Sequence, residues 1–102
     1  MKKQLITVAT VILAIAASTA FAATGEALFK QHCAVCHPDG GNIIKPTHTL
    51  HKKDLDQNGI KNGKAIVKNM RTPGPGMTAF DAKTITDKDA KAIAEYVLKT
   101  FK

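Results

Sequence analysis

The sequence predicts an all-α domain of four to five short helices, and three observations carry that prediction. Near the C-terminus, Ala90, Ile93, Ala94, Val97, Leu98 and Phe101 recur at helical spacing and form one apolar stripe. Pro, Gly and Asn cluster at 38–46, 58–59 and 73–76, dividing the rest of the chain into helix-sized pieces. No stretch alternates apolar and polar residues as a half-buried strand does.

Residues 1–22 stand apart from this domain. Lys2 and Lys3 precede an apolar run from Leu5 to Ala17, and Ala20-Phe21-Ala22 places small residues where a signal peptidase reads them. That order is the order of a secretory leader. The run is shorter than the roughly 20 residues that span a bilayer, so cleavage after Ala22 is expected rather than a permanent anchor. No cysteine stands at the cleavage region to take a lipid.

The domain, 23–102, is read in order. Ala23 to Cys36 reads as a first helix, with Thr24 as N-cap, Leu28 and Phe29 on its apolar side, and Gly25 on the face of Phe29. Asp39-Gly40-Gly41-Asn42 marks a loop. Lys52 to Gln57 forms a short helix ended by Asn58-Gly59. Ile60 to Arg71 forms a third, with Ile60, Ile66, Val67 and Met70 inward and Lys61, Lys64, Lys68 and Arg71 sharing another side. Thr72 to Phe80 is a Pro/Gly loop. Thr86 caps the last helix, Asp87 and Asp89 suit its N-terminal dipole, and Ile85 and Ala90 form a weak staple. Lys88, Lys91, Glu95, Lys99 and Lys102 make its wet face.

Without the leader the chain has 80 residues, and Lys plus Arg falls from 15 to 13 against 8 acids, a net charge of +5. That balance bears on partners and solubility, not on fold. Apart from Tyr96 and three phenylalanines (Phe29, Phe80, Phe101) the domain lacks large aromatics. Chains this small bury little apolar surface and often need a disulfide, a metal or a cofactor.

The two cysteines show which. They read Cys33-Ala34-Val35-Cys36-His37. Two intervening residues let two thiols reach the two vinyl groups of a haem from one turn, and the following imidazole points at the iron; C-x-x-C-H is the attachment signal of c-type haem. Three plainer readings compete. A thioredoxin-like disulfide sits in a βαβ setting, and no strand pattern is present. A zinc site needs a second pair at finger spacing, and His48 and His51 come too soon. A structural disulfide between such near neighbours constrains the unfolded chain little. Haem c with its iron is therefore the expected cofactor, held covalently by Cys33 and Cys36, with His37 on the metal.

For the second axial position the domain offers Met70 and Met77. Met70 falls on the inward face of a helix, where a methionine usually fills core. Met77 lies in Thr72-Pro73-Gly74-Pro75-Gly76-Met77, a loop free to bring a thioether across the haem face. Met77 is the favoured ligand. His48 and His51 stay open as alternatives, and the plain reading of each histidine other than His37 is a solvent-exposed side chain.

Gly25-Glu26-Ala27-Leu28-Phe29 before the attachment motif, the methionine loop, and Ala94-Glu95-Tyr96-Val97-Leu98 in the last helix resemble class I cytochrome c. Gly40-Gly41-Asn42-Ile43-Ile44-Lys45-Pro46, Thr49-Leu50, Asn58-Gly59-Ile60, Met77-Thr78-Ala79-Phe80 and Thr86-Asp87-Lys88-Asp89 narrow the resemblance to the cytochrome c6 subgroup. The resemblance implies helices wrapped around one covalently attached haem. It implies crossing terminal helices with Gly25 and Phe29 against the Tyr96 region, and His37 and Met77 as axial ligands. Thr78 stands where the family commonly has Pro, the loop before Met77 is richer in Pro, and Asn69 occupies the position of a haem-contacting Gln.

The expected function is an exported mono-haem electron carrier, not an enzyme, shuttling single electrons between redox proteins. It is expected as a monomer in the periplasm or a thylakoid-lumen-like compartment, without nucleic-acid partners. The basic stripe of Lys61, Lys64, Lys68 and Arg71 is either a solvated face or a docking patch for an acidic partner. The rival is a haem enzyme or gas sensor, which needs an open or labile sixth position.

Overall fold

Thr24 opens the part of the chain that the structure, a computed structural model, describes: residues 24–102. The expected leader, 1–22, lies outside the described residues. Thr24 has extended backbone and its Oγ1 accepts the N–H of Ala27 at 3.1 Å. It thereby satisfies one of the amides a helix start leaves free. Helix α1 then runs Gly25–His32.

The sequence led us to expect α1 to reach Cys36, but it ends at His32. Pro38 disfavours helical backbone at the residue before it, and His37 adopts φ −120°, ψ 55°. The ladder gives way to tight turns: Cys33 and Ala34 both donate to Phe29 O, and Cys36 and His37 both donate to Cys33 O. A 3-10 turn, Pro38–Gly40, follows, with Asp39 at φ 53°. The cysteines and His37 therefore sit on a turn rather than on a helix face.

Helix α2, Lys52–Gln57, has the bounds read from the sequence. Asn58 closes it, its side-chain Nδ2 donating to Asp54 O at 2.9 Å and to Thr47 O at 3.3 Å. Helix α3 runs Gly63–Arg71 and starts later than the expected Ile60. The Asn62 side chain accepts the Ala65 N–H at 2.9 Å and fixes the start. Ile60 instead donates to Leu55 O at 2.8 Å and belongs to the turn after α2. Helix α4, Asp87–Thr100, is capped by Thr86, whose Oγ1 accepts the Asp89 N–H at 3.2 Å. No strand occurs among the described residues.

Helix α4 is the spine, with α1 and α3 packed on it. Ala90, Ile93, Ala94 and Val97 of its stripe are buried. Leu28 and Phe29 from α1, Leu55 from α2, Ile66 and Met70 from α3, and Ile85 just before α4 complete the core. Phe29 meets Tyr96 and Phe101, with ring centroids 5.3 and 5.4 Å apart, at the crossing of the terminal helices. Gly25 allows this approach. A Cβ there would press on the Ala92 carbonyl oxygen and lie 2.9 Å from Tyr96 Cβ. A second close approach binds the C-terminus to the loop after α1. Gly40, at φ +78°, leaves space that a Cβ would take to within 2.5 Å of Phe101 Cδ1, and Lys52 N–H donates to Phe101 O at 2.9 Å.

Because the atom facing Gly25 is backbone, it cannot turn aside. Gly25→Ala is expected to destabilise the haem-loaded protein by about 1–3 kcal/mol, as overpacking does. Gly63→Ala, where an added Cβ meets Ala94 Cβ at 3.7 Å in ordinary van der Waals contact, should stay within about 0.5 kcal/mol of the parent. Denaturant unfolding of both variants checks the difference.

Candidate functional site

Cys33, Cys36 and His37 line one cleft together with Met77, which lies 40 residues further along the chain. Its empty volume is about 1210 Å³, including solvent at the open mouth. The walls are mostly apolar. Phe29, Leu55, Ile66, Met70, Ile93 and Val97 present core side chains to it, and Val35 and Ile44 stand at the rim.

His37 is the one buried polar side chain among the described residues, 8% exposed. Its Nδ1 lies 2.7 Å from Gly41 O. A carbonyl only accepts, so Nδ1 carries the proton and donates, leaving the Nε2 lone pair free. The acceptor is itself held, since Gly41 N–H donates to Pro38 O at 2.9 Å. The turn after α1 thus sets both the tautomer and the orientation of the ring. Burial pushes the Cys33 thiol up to about 11, so near neutral pH it is a thiol and not a thiolate.

Met77 arrives from the other end of the chain. Thr72 ends α3, its N–H still bonded to Lys68 O at 2.9 Å. Pro73, Gly74, Pro75 and Gly76, the last at φ +94°, then carry the chain out and back. Phe80 N–H donates to Met70 O at 2.8 Å and closes the excursion. Met77 is half-buried, and Asn69 Nδ2 donates towards its sulfur at 3.8 Å. Beyond the loop, Asp81 Oδ1 accepts the amides of Thr84 and Lys83. The Thr84 hydrogen bond above all holds that carboxyl below the usual range.

The other candidates separate. Met70 is 4% exposed and belongs to the core, though it also touches the cleft wall. His48 and Lys45 are exposed at the rim. His51 is exposed, lies off the cleft and packs edge-on against Phe101. His32 lines the cleft and meets Phe80, with centroids 6.0 Å apart.

The basic stripe does not flank the cleft. The α3 residues that reach the cleft are Ile66, Asn69 and Met70, whereas Lys64 lines a separate groove against α4 with Val67, Lys91 and Glu95. Lys61 donates to Asp56 O at 2.8 Å. Arg71 is committed to carbonyls of the chain itself. Lys61 and Arg71 thus bond to carbonyls within the fold, while Lys64 and Lys68 are exposed.

Comparison with known proteins identifies the arrangement. The family described as cytochrome c oxidase, cbb3-type, subunit III, matches residues 20–97. Cytochrome c6 of Thermosynechococcus vestitus is 36% identical over 104 residues, covering 96% of this chain and 92% of that protein. OmcF, outer membrane cytochrome F of Geobacter sulfurreducens, superposes with a TM-score of 0.74 at 44% identity, over 76% of this chain and 99% of that one.

The chain belongs to the class I c-type cytochromes. Cytochrome c6C of Synechococcus extends the likeness, with a TM-score of 0.70 and 30% identity over 76% of this chain and 93% of its own. The fold is the all-α cytochrome c fold, and the family's cofactor is one covalently attached haem c, with its iron, per chain. The chain is an electron carrier and not an enzyme.

Two contributors to the site left little trace in the sequence. Gly41 acts through its carbonyl, and a backbone acceptor has no residue signature. Arg71 was readable only as one of several basic residues on a helix. Asp87, its partner across the fold, lies 16 residues on, too far for local pattern to pair them.

Proposed function

We propose that Cys33 and Cys36 hold the haem by thioether bonds and that His37 and Met77 are its axial iron ligands. The observation that carries this reading is the convergence of those four side chains on a single apolar cleft. The residues suit the group chemically. His37 offers a neutral imidazole with Nε2 free and Nδ1–H pinned to Gly41 O, the outer-shell bond that fixes a ligating histidine and raises its basicity. Met77 offers a thioether on a loop that reaches the cleft without bending a helix.

When bound, the haem supplies a one-electron Fe(III)/Fe(II) couple. The chain's part is to tune it and to give it one accessible edge. The walls of Phe29, Leu55, Ile66, Ile93 and Val97 exclude water and hold the local dielectric low, and burial of this kind is one of the levers on potential. Thioether ligation raises the potential relative to imidazole. Asn69 adds a donor to that sulfur, drawing density from the ligand as a second-shell contact does. At the mouth, Val35 and Ile44 are 79% and 54% exposed, large apolar side chains left open to solvent. A redox partner docks over this rim and exchanges its electron there.

The protein works after export. The basic start, short apolar run and Ala20-Phe21-Ala22 of the first 22 residues support a leader removed after Ala22, and the family match begins at residue 20, close to that boundary. The mature carrier, 23–102, acts as a soluble monomer between redox partners in the periplasm or an equivalent lumen.

Two experiments test this. The intact mass of protein recovered from the periplasm should equal residues 23–102 plus one haem, and the haem should stay with the protein through acid–acetone extraction. Haem leaving with the solvent contradicts the thioethers, and a mass that retains residues 1–22 contradicts the cleavage. On the ligand, Met77→His should keep the ferric iron low-spin, abolish the methionine–ferric charge-transfer band and lower the potential. Met70→Leu, roughly volume-conserving, should keep the band and cost less than about 1.5 kcal/mol. Loss of the band in the Met70 variant alone reassigns the ligand.

A further inference from the structure

The loop that carries Met77 has almost no framework of its own. Between Thr72 and Phe80 the one backbone hydrogen bond contained within it runs from Met77 N–H to Gly74 O, at 3.5 Å. Two prolines lack the amide donor altogether. What returns the loop to the fold is therefore its far end, at Phe80, and two bonds hold that end. Phe80 N–H donates to Met70 O at 2.8 Å, and Phe80 O accepts from Arg71 Nη1 at 3.1 Å.

Arg71 does more there than satisfy one carbonyl. The same Nη1 donates to Ile85 O at 2.7 Å, and Nη2 meets Asp87 Oδ1 at 2.8 Å. One planar guanidinium at the last residue of α3 thus spans the far end of the methionine loop, the segment before α4 and the first turn of α4. The Arg71 side chain is 22% exposed, whereas Asp87 is 91% exposed. An ion pair with so exposed a partner contributes little. The two carbonyl bonds, charge-assisted and shielded, carry the effect. A lysine cannot reproduce it, because its ammonium is a single point and not a fork.

We propose that Arg71 is the positioning residue for the sixth ligand: its guanidinium clamps the base of the 72–80 loop shut and so keeps Met77 at the iron. The proposal rests on the Met77 assignment above. Opening the loop by breaking the bonds at Phe80 and releasing the Met77 sulfur are then one event. An external ligand reaches the iron only from the open form. Its apparent affinity measures how often the loop opens. A residue that merely tied α3 to α4 would change global stability and leave this affinity alone.

The experiment is a titration of the ferric, haem-loaded protein with imidazole, followed by loss of the methionine–ferric charge-transfer band. It is paired with hydrogen exchange at the Phe80 amide. Arg71→Gln should bind imidazole more tightly than the parent by about tenfold or more, the equivalent of losing at least one charge-assisted hydrogen bond, at the low end of its worth, from the closed form. Its Phe80 amide should exchange faster by a similar factor. Arg71→Lys should fall between, which keeps the test open if Arg71→Gln folds poorly. Lys64→Gln, which removes one charge from the same helix outside this network, should stay within about twofold of the parent, the range of an ordinary surface substitution. If the Arg71 variants lose stability but bind imidazole as the parent does, Arg71 is a brace only and the proposal is overturned. If the parent itself lacks the band, the Met77 assignment falls and takes the proposal with it.

Discussion

Phe29, Leu55, Ile66, Met70, Ile93 and Val97 are at once core residues and cleft wall, and this double use constrains everything else. In a larger domain the core closes on itself and the ligand site is cut into a finished structure. Here one side of the core is the site. Each of these side chains is buried, between 1% and 6% exposed, so the floor of the cleft is the close-packed core itself and a change of volume there alters core and site together. An 80-residue chain has little other apolar surface to offer.

That constraint explains why both ends of the chain are tied so closely to the turn that bears the ligand. Gly25 admits α4 to contact with α1, and Gly40 admits Phe101 to the turn just before Gly41. Gly41 O in turn receives the His37 proton. The proximal side of the site is thus built from short, backbone-rich contacts that leave the imidazole one orientation. The distal side differs. Met77 hangs on a loop with few bonds of its own, held at its far end by Met70 O and the Arg71 side chain. Under the proposed ligation, a rigid imidazole side faces a thioether side closed by a few hydrogen bonds, and ligand release falls at the methionine.

How much of this could be read from the sequence depends on how local the determinant is. That Cys33, Cys36 and His37 come together is legible because the three are contiguous, and α2 and α4 are legible because Asn58-Gly59 and Thr86 act within a turn of the residues they cap. The end of α1 comes earlier than the pattern implies because Cys33 and Ala34 both donate to Phe29 O, a tightening of the last turn that no residue type in the motif signals. The start of α3 was misjudged because Ile60 has the right character for an inward helical position while its amide goes to Leu55 O. The basic stripe lies on a different side of α3 from the buried Ile66 and Met70, whereas Val67, expected inward, is half-buried beside Lys64 in the groove against α4. Which side of α3 the cleft occupies is decided by the packing of α3 on α4, and no spacing within α3 contains that. Arg71 shows the same limit, since its partners at Phe80, Ile85 and Asp87 are brought to it only by the return of the chain.

Under the proposed ligation Met77, from a loop, and not Met70, from the core, meets the haem iron. Proton NMR of the ferrous, haem-loaded protein tests that ligation most directly, because the ring current of a haem shifts a ligating methionine methyl far upfield of every other methyl. The account predicts one such methyl, assigned through its own spin system and neighbours to Met77, with the Met70 methyl among ordinary core resonances. A far-upfield methyl assigned to Met70, or none from any methionine, contradicts it.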